Sequence, residues 1–282
     1  MRDAVLLITA RIVGVQRIIV FFHGWEDRFV ERLGRRWFYH LLLRQVYGKA
    51  TIIVVLARRF KGQLSVLGLD ADRILVETTM FDGAIFSGLT KPSRSQGVTL
   101  LFMSRMEAEK GVFELLEAFV HIKERDPAVR LVMVGDGPAR PGLEDFVTRH
   151  KLSDVIFTGY LRGSDKARTL LEADLFILPT YSEGCPVSLL EAMAAGLPCI
   201  TNAVGGIPDI FRDGRNGILL NGVSVPSLTQ AIELMLSDSA LREQVGQHNR
   251  RQAWENYEAN VVTRRIEALY IGPSEVERNV ST

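Results

Sequence analysis

Two glutamates eight positions apart, Glu183 and Glu191, are the residues of this chain whose type and spacing most clearly suggest chemistry. The second lies on a predicted helix, and the first lies in the turn before it. Backbone N–H groups at the start of a helix favour an anionic ligand such as a phosphate. Carboxylates beside such a site do not suit the phosphate itself, but they can accept hydrogen bonds from hydroxyl groups. The pattern therefore predicts a ligand that is both phosphorylated and polyhydroxylated.

A strand and a helix position this pair. The apolar run Ala173–Pro179 is typical of a buried parallel strand, because it is short and ends at proline and polar residues. A tight turn follows, and Pro186 suits the first turn of a helix because the N–H that it lacks has no partner there. The apolar stripe of that helix consists of Leu189, Leu190 and Met193. In an open α/β sheet the ligand crevice lies at the carboxyl ends of the strands, so the turn would face it.

Strands and helices alternate from Val98 onward. We predict strands at 98–103, 130–135, 154–157, 174–178 and 198–201, and helices at 112–124, 141–150, 164–172 and 186–195. This repetition predicts an α/β domain with a doubly wound, Rossmann-like parallel sheet and helices on both faces. Further helices are predicted at 227–236 and through much of 241–270.

The first 90 residues have a different pattern. β-branched runs at 18–22, 51–56 and 73–77 predict three strands, with an arginine-rich helix between the first two and a short helix near 58–67. The Pro- and Ser-rich segment 91–97 is the predicted linker. Three strands with helices make only the second half of a Rossmann-like domain, which normally has roughly 100–150 residues. We therefore expect this first domain to be partial.

Composition narrows the class of protein. The 282 residues are 47% hydrophobic and 24% charged, which is ordinary for a globular protein of one or two domains. Cys185 and Cys199 have neither the number nor the spacing of a disulfide framework or a zinc site, which favours a reducing compartment. Arg11 and Arg17 interrupt the first apolar stretch, so it does not resemble a signal peptide, and no run of about 18 apolar residues could span a bilayer. These features predict a cytoplasmic protein.

Charge is distributed unevenly along the chain. Residues 1–90 hold 13 Lys and Arg against 8 Asp and Glu, whereas the remainder holds 21 against 25, and the segment Arg28–Lys61 holds nine basic residues against Glu31 alone. Basic and apolar residues recur there at helical spacing, namely Arg28, Arg32, Arg35 and Arg36 opposite Phe29, Leu33, Trp37 and Leu41. Such a helix could lie on the anionic inner face of a membrane, or its apolar side could belong to the domain core. No nucleic-acid-reading motif accompanies the charge, so we do not expect nucleic acid as a partner.

The segment around the glutamate pair resembles a known signature. Tyr181–Pro198 is similar to the Glu-x7-Glu motif of the retaining glycosyltransferases of family 4, which have the GT-B fold. Four further segments match that family in order: Ser104–Gly111, which resembles its phosphate-binding loop, Gly135–Pro138, Phe157–Leu161 and Gly205–Asp209. The similarity runs from about Val98 to Leu220, and five ordered segments make it specific.

The resemblance implies a role for each charged residue of the site. Arg105 and Lys110 would stabilise the diphosphate leaving group, because fixed cations oppose the charge that grows there without waiting for solvent to reorganise. Glu191 would accept hydrogen bonds from both ribose hydroxyls of a nucleotide-sugar donor. Glu183 would contact hydroxyls of the donor sugar. The resemblance also implies that no divalent metal and no other cofactor are required.

Other positions are assigned by the same resemblance. Backbone N–H groups from Gly184 to Val187, a stretch that includes Cys185 and Pro186, would hold sugar and phosphate oxygens. Tyr160 and Leu161 would present backbone to the base, while Gly135 and Gly137 would either allow close approach of the chain or form a simple turn. His23, after the first predicted strand, would face the donor sugar, or it would be an ordinary loop histidine.

The resulting hypothesis is a retaining glycosyltransferase of the GT-B type, acting on a saccharide or lipid-linked acceptor in cell-envelope polysaccharide synthesis. Its domains would be 1–90 on the acceptor side, 98–258 for the donor, a crossing helix at 259–272 and a tail at 273–282. The family's first strand and glycine-rich loop have no counterpart, so we expect an N-terminally truncated enzyme. Thr78–Asp82 replaces the family's usual Asn-Gly pair, which leaves the geometry of the domain linker open. A decayed or non-catalytic nucleotide-sugar-binding protein, a sugar phosphorylase and a nucleotide-sugar epimerase are the alternatives.

Overall fold

The structure is a computed structural model that describes residues 2–25, 30, 37–92 and 97–271. The chain divides into two compact units, one made by residues up to Thr79 together with those from Asn260, the other by Met80–Ala259. The predicted boundary at residue 90 lies further along the chain. The reason is Phe81, whose ring contacts that of Trp254 at a centroid distance of 5.3 Å within the second unit. Of the predicted linker, residues 93–96 lie outside the described residues.

Three parallel strands in the order β1-β2-β3 form the sheet of the first unit. They are β1 (Ile19–Phe22), β2 (Ile52–Val55) and β3 (Ile74–Val76), which confirms the three strand predictions. The helices described in this part of the chain are α1 (Arg2–Ile12), α2 (Trp37–Tyr47) and α3 (Arg58–Val66). Leu7 of α1, Ile18 and Val46 of α2 form a small buried cluster. The sequence did not predict α1, because its apolar residues surround the helix instead of forming one stripe.

Most of the predicted basic helix lies outside the described residues. Its four arginines, at 28, 32, 35 and 36, and its apolar residues Phe29 and Leu33 lie outside the described residues. The helix that the structure describes between β1 and β2 begins at Trp37. Within the described ranges, no helix combines the length and the apolar character that crossing a membrane requires.

Six parallel strands form the sheet of the second unit. They are β4 (Thr99–Met103), β5 (Arg130–Val134), β6 (Val155–Gly159), β7 (Leu175–Leu178), β8 (Cys199–Asn202) and β9 (Gly217–Leu220), in the order β6-β5-β4-β7-β8-β9. β4 and β7 are buried along their whole length, which is why each reads as a continuous apolar run. The predicted Rossmann-like sheet is confirmed, and β9 adds a strand that we did not predict.

Helices connect these strands and follow the last of them. They are α4 (Val112–Arg125), α5 (Arg140–Arg149), α6 (Gly163–Glu172), α7 (Val187–Ala194), α8 (Ile207–Ile210), α9 (Val225–Ser237) and α10 (Ser239–Asn256). The buried residues of α4 include Val112, Leu115, Phe119 and Ile122, at the three- and four-residue spacing of one helical face. The four predicted helices between β4 and β8 are therefore confirmed within one or two residues.

The predicted helical region at 241–270 is interrupted. α10 ends at Asn256, and α11 spans Ala259–Ile271. At the break, the N–H of Phe81 donates to Tyr257 O at 3.1 Å, and the N–H of Ala259 donates to Phe81 O at 3.0 Å. Beyond the break, Arg265 of α11 forms a two-point ion pair with Glu77 within the first unit, with Nε and Nη2 at 2.9 and 2.7 Å from its carboxylate oxygens.

Candidate functional site

The strand order of the second unit creates a switch point. β4 and β7 are neighbours, and the chain continues from β4 towards β5 and β6 on one side but from β7 towards β8 and β9 on the other. Loops that leave in opposite directions open a crevice at the carboxyl ends of these strands, where open α/β sheets bind ligands. The loop after β4 carries Arg105 and Lys110, and the loop after β7 carries Glu183.

Backbone hydrogen bonds join the loops around this crevice. The bonds are Tyr181 N to Glu109 O (2.9 Å), Gly206 N to Gly184 O (2.6 Å), Met106 N to Asp136 O (2.9 Å) and Gly135 N to Gly159 O (2.9 Å). They connect the loops that follow β4, β5, β7 and β8 with one another and with the end of β6. Because each loop is fixed by its neighbour, the side chains that they carry are held in a defined arrangement.

Lys110 and Glu183 form a nearly buried ion pair across the switch point. Lys110 Nζ lies 2.6 Å from Glu183 Oε1, and the two side chains are 10% and 13% exposed. The same ammonium donates to Ser182 O at 2.9 Å. A lysine that ends the short 3-10 turn Ala108–Lys110 and a glutamate 73 positions later are thus brought together by the sheet order.

Arg105 lies in the same loop but is open to solvent. Its Nη1 is 2.7 Å from Glu107 Oε1, and its side chain is 66% exposed. A surface ion pair of this kind is worth about 0–1 kcal/mol. Arg105 therefore contributes little to folding and can turn towards an anion without a large cost.

Glu191 is buried on α7 and pairs with a different lysine. The residue is 4% exposed, and Lys166 Nζ of α6 lies 2.5 Å from Glu191 Oε1. Burial raises the pKa of Glu191, the hydrogen bond and charge of Lys166 lower it, and the charge of Asp82 raises it. Desolvation has the largest effect, so the pKa of this carboxyl lies above its ordinary value.

The turn between Glu183 and α7 has the conformation of a helix start. Pro186 is the N-cap, with extended φ and ψ of −73° and 120°, so it precedes the first helical turn instead of lying in it. Cys185 is buried and Val187 is 39% exposed. The N–H of Leu189 donates to Pro186 O at 3.2 Å. The N–H groups before it have no acceptor within the helix, so they are suited to an anion.

The remaining predicted positions of this unit lie in neighbouring loops. A Cβ at Gly135, whose φ is +129°, would come within 2.0 Å of Ser104 O, so the loop after β5 needs glycine to approach the loop after β4. The N–H of Gly137 donates to Asp136 Oδ1 at 2.8 Å. Tyr160 is 65% exposed, and its hydroxyl donates to Asp136 O at 3.2 Å. Leu161 follows it, half-buried.

His23 belongs to the first unit. It follows β1, and its ring lies parallel to that of Phe21 at a centroid distance of 5.9 Å. The structure therefore brings together the predicted residues of the second unit. His23 lies in the first unit, at the carboxyl end of a strand of that unit's sheet.

Sequence reasoning missed Lys166. The sequence does contain one signal for it. Lys166 is the fourth residue of α6, and the helix dipole disfavours a cation in the first turn, so its presence there calls for a reason. Sequence reasoning also gave no role to Asp82, whose charge raises the pKa of Glu191. Among the residues that the structure describes, no cluster of three or more His, Cys, Asp or Glu side chains is arranged to hold a metal ion.

Comparison with known proteins places these features in context. A family model described as glycosyl transferases group 1 matches residues 90–252. Sulfoquinovosyl transferase SQD2 of Arabidopsis thaliana is 32% identical over 159 residues, which are 55% of this chain and 30% of that protein. WcaL of Salmonella typhimurium, named as a colanic acid biosynthesis glycosyltransferase, is 25% identical over 269 residues, or 92% of this chain and 66% of that protein. The chain thus spans less than two thirds of the length of either relative.

The fold has close counterparts among solved structures. HepE of Anabaena, in complex with UDP and glucose, superposes with a TM-score of 0.75 at 18% identity, covering 94% of this chain and 74% of that chain. This likeness confirms the predicted Rossmann-like GT-B fold. At such low identity it shows the fold alone.

Proposed function

This chain belongs to the glycosyl transferases group 1 family, and from that premise we propose that it transfers a hexose from a nucleotide-sugar donor with retention of configuration. The acceptor is a saccharide or lipid-linked saccharide of a cell-envelope polysaccharide. The observation that carries the proposal is the nearly buried pair of Lys110 and Glu183 at the switch point. It brings a cation suited to a diphosphate next to a carboxylate suited to sugar hydroxyls.

The cations act on the leaving group. Arg105 and Lys110 face the diphosphate and oppose the negative charge that grows on it as the sugar–phosphate bond breaks. The acceptor oxygen attacks the same face of the sugar, and its proton passes to the leaving phosphate oxygen. This step needs no divalent metal, because the two cations supply the charge stabilisation. Turnover that is unchanged by EDTA is the expected result.

The carboxylates and loops hold the rest of the donor. Glu183 accepts from hydroxyls of the sugar, and Glu191 accepts from the ribose hydroxyls. Backbone around Gly184–Val187 binds sugar and phosphate oxygens, and Tyr160 with Leu161 borders the base. UDP-hexose is the first donor to try, since the HepE structure contains UDP and glucose.

The first unit favours a lipid-linked acceptor. Large apolar side chains on α1 and α2 are exposed: Leu6 61%, Ile12 79%, Trp37 78% and Leu41 51%. Together with the basic segment Arg28–Lys61, they suit peripheral contact with an anionic membrane. Trp37→Ser should reduce sedimentation with phosphatidylglycerol vesicles, whereas Val66→Ser, at an equally exposed apolar position of α3, should not. Equal sedimentation of the two variants would contradict the membrane contact.

The decisive experiment is calorimetric titration with UDP, GDP, ADP and their common sugar conjugates. We expect one nucleotide to bind, and Glu191→Ala and Arg105→Ala to weaken it roughly tenfold or more, because each removes a charge-assisted hydrogen bond. Arg149→Ala is the control, since its ion pair with Asp145 is also on the surface and its side chain is 63% exposed. A folded protein that binds none of these nucleotides would refute the donor site.

Turnover separates the remaining functions. A glycosyltransferase forms a new glycosidic bond to the acceptor as it releases the nucleoside diphosphate, and NMR of the product gives the anomeric configuration. Free sugar phosphate would indicate a phosphorylase, and an isomerised donor would indicate an epimerase. Tight donor binding with no turnover on any saccharide or lipid-linked acceptor would favour a binding protein.

A further inference from the structure

We propose that Lys166 is a positioning residue of the donor site, which orients the Glu191 carboxylate so that its second oxygen meets the ribose hydroxyls. This inference rests on the proposed function, because a ribose is present only if the donor is a nucleotide sugar. It adds a residue to the site that neither the glutamate signature nor the phosphate-binding loop contains.

The geometry around Glu191 is the first support. Lys166 Nζ lies 2.5 Å from Glu191 Oε1. Within the part of the chain that the structure describes, no other hydrogen-bond donor reaches that side chain. The Glu191 side chain is 5% exposed and that of Lys166 is 24% exposed, so the pair is largely shielded from solvent, on the two helices that follow β6 and β7. One carboxylate oxygen is fixed and the other is left for a ligand.

The charges around Glu191 are the second support. Lys166 faces it from α6, and Asp82 faces it from the N-cap of the 3-10 turn Gly83–Phe86. Burial and Asp82 both raise the pKa of Glu191, and Lys166 alone lowers it. Two ribose hydroxyls that both donate need an ionised carboxylate, because a protonated carboxyl has an O–H donor of its own. Lys166 thus keeps the acceptor form accessible in a buried place.

A purely structural ion pair is the competing explanation, and the chain offers a matched control for it. Lys123 Nζ lies 2.8 Å from Asp154 Oδ2, and the Lys123 side chain is 15% exposed. Asp154 directly precedes β6, at the amino end of the sheet and opposite the crevice. Lys123→Met therefore removes a comparable lysine–carboxylate pair that no donor would touch.

The test compares wild type, Lys166→Met, Lys166→Arg and Lys123→Met by calorimetry with UDP and 2′-deoxy-UDP. Lys166→Met should weaken UDP binding roughly tenfold or more and bind the two nucleotides with nearly equal affinity. Lys166→Arg should retain most of the wild-type preference for UDP, and Lys123→Met all of it. An unchanged preference in Lys166→Met would overturn the inference even if its UDP affinity falls.

A second measurement is independent of any nucleotide. Carbon-13 NMR follows the ionisation of Glu191 in the unliganded protein, with the signal assigned by its loss in Glu191→Gln. The pKa of Glu191 should be higher in Lys166→Met than in wild type. If wild type binds no nucleotide, the proposed function fails, and this titration still decides whether Lys166 controls Glu191. An unchanged pKa would overturn that control.

Discussion

Replacing Lys110 by methionine should have two separable effects, one on folding and one on ligand binding. Lys110 Nζ donates to Glu183 Oε1 at 2.6 Å and to Ser182 O at 2.9 Å. Methionine keeps the volume of the side chain but removes the charge and both hydrogen bonds. Glu183, only 13% exposed, is then left without its cation.

The effect on folding follows from that burial. Removing one partner of a buried ion pair costs about 3–5 kcal/mol. The remaining exposure of Glu183 admits some water, so we expect about 3 kcal/mol, at the lower end of that range. For a unit of this size the midpoint temperature should fall by roughly 6–12 °C. Lys110→Met/Glu183→Gln removes both charges and should recover most of the loss.

The effect on binding separates the roles of the two residues. Lys110→Met should weaken UDP binding roughly 10- to 150-fold, because a hydrogen bond to a charged group is worth about 1.5–3 kcal/mol. The double variant should bind UDP equally weakly despite its recovered stability. Glu183→Gln alone should bind UDP at least as tightly as wild type, since in the proposed site Glu183 contacts the sugar that UDP lacks, and its charge no longer competes for Lys110. Thermal unfolding and calorimetry on the four proteins measure both effects. Wild-type affinity for UDP in the double variant would refute the assignment of Lys110 to the diphosphate.

Three further predictions concern single positions. Gly111→Ala would place a Cβ 2.0 Å from Pro179 O, and the φ of Gly111 is +65°. We expect it to lower the free energy of unfolding in urea by about 2 kcal/mol or more. Gly142→Ala in α5, where a Cβ makes only ordinary contacts, should be neutral or stabilise by up to about 1 kcal/mol, and equal losses would contradict the reasoning. The raised pKa of Glu191 means that the folded state binds its proton more tightly than the unfolded chain does, whose ordinary value is 4.5. Wild type should therefore lose stability relative to Glu191→Gln as pH rises from about 4.5 through the folded pKa, and a difference that is constant with pH would exclude this linkage. The hydrogen bond to Glu114 raises the pKa of Tyr181 to about 12, so Glu114→Ala should lower that pKa in an ultraviolet titration, and no change would rule out the bond.

The sequence predicted the second unit well because its central strands are buried on both faces. A strand such as Leu175–Leu178 must then be apolar throughout, and the pattern shows where it lies. Gly217–Leu220 escaped prediction because it is a short apolar run that follows a turn, and such a run is ambiguous between strand and helix. The helical pattern through 241–270 hid a break whose cause is tertiary. The backbone of Phe81 forms hydrogen bonds with residues on both sides of the break, and Phe81 is far from them in sequence.

Sequence reasoning could propose site residues only where these lie within a recognisable motif. The glutamate pair, Arg105 and Lys110 could be proposed because they lie in short segments that resemble known motifs, with turn and helix signals beside them. The contact between Lys166 and Glu191 joins residues on two different helices, and no local pattern encodes it. Strand order decides such contacts, and strand order depends on packing between elements far apart in the chain.

The two signature glutamates look like a matched pair in sequence, but the structure gives each its own partner. Glu183 is held by Lys110 from the loop after β4, whereas Glu191 is held by Lys166 from α6. The cation of Lys110 is the one that a diphosphate would draw away, so binding of the leaving group would weaken its hold on Glu183 and free that carboxylate for the sugar. Lys166 has no such competing anion in the proposed arrangement, so Glu191 would remain fixed throughout a reaction cycle. One carboxylate would then respond to the state of the donor while the other anchors the nucleoside, which explains how two identical residues in one motif can serve different steps.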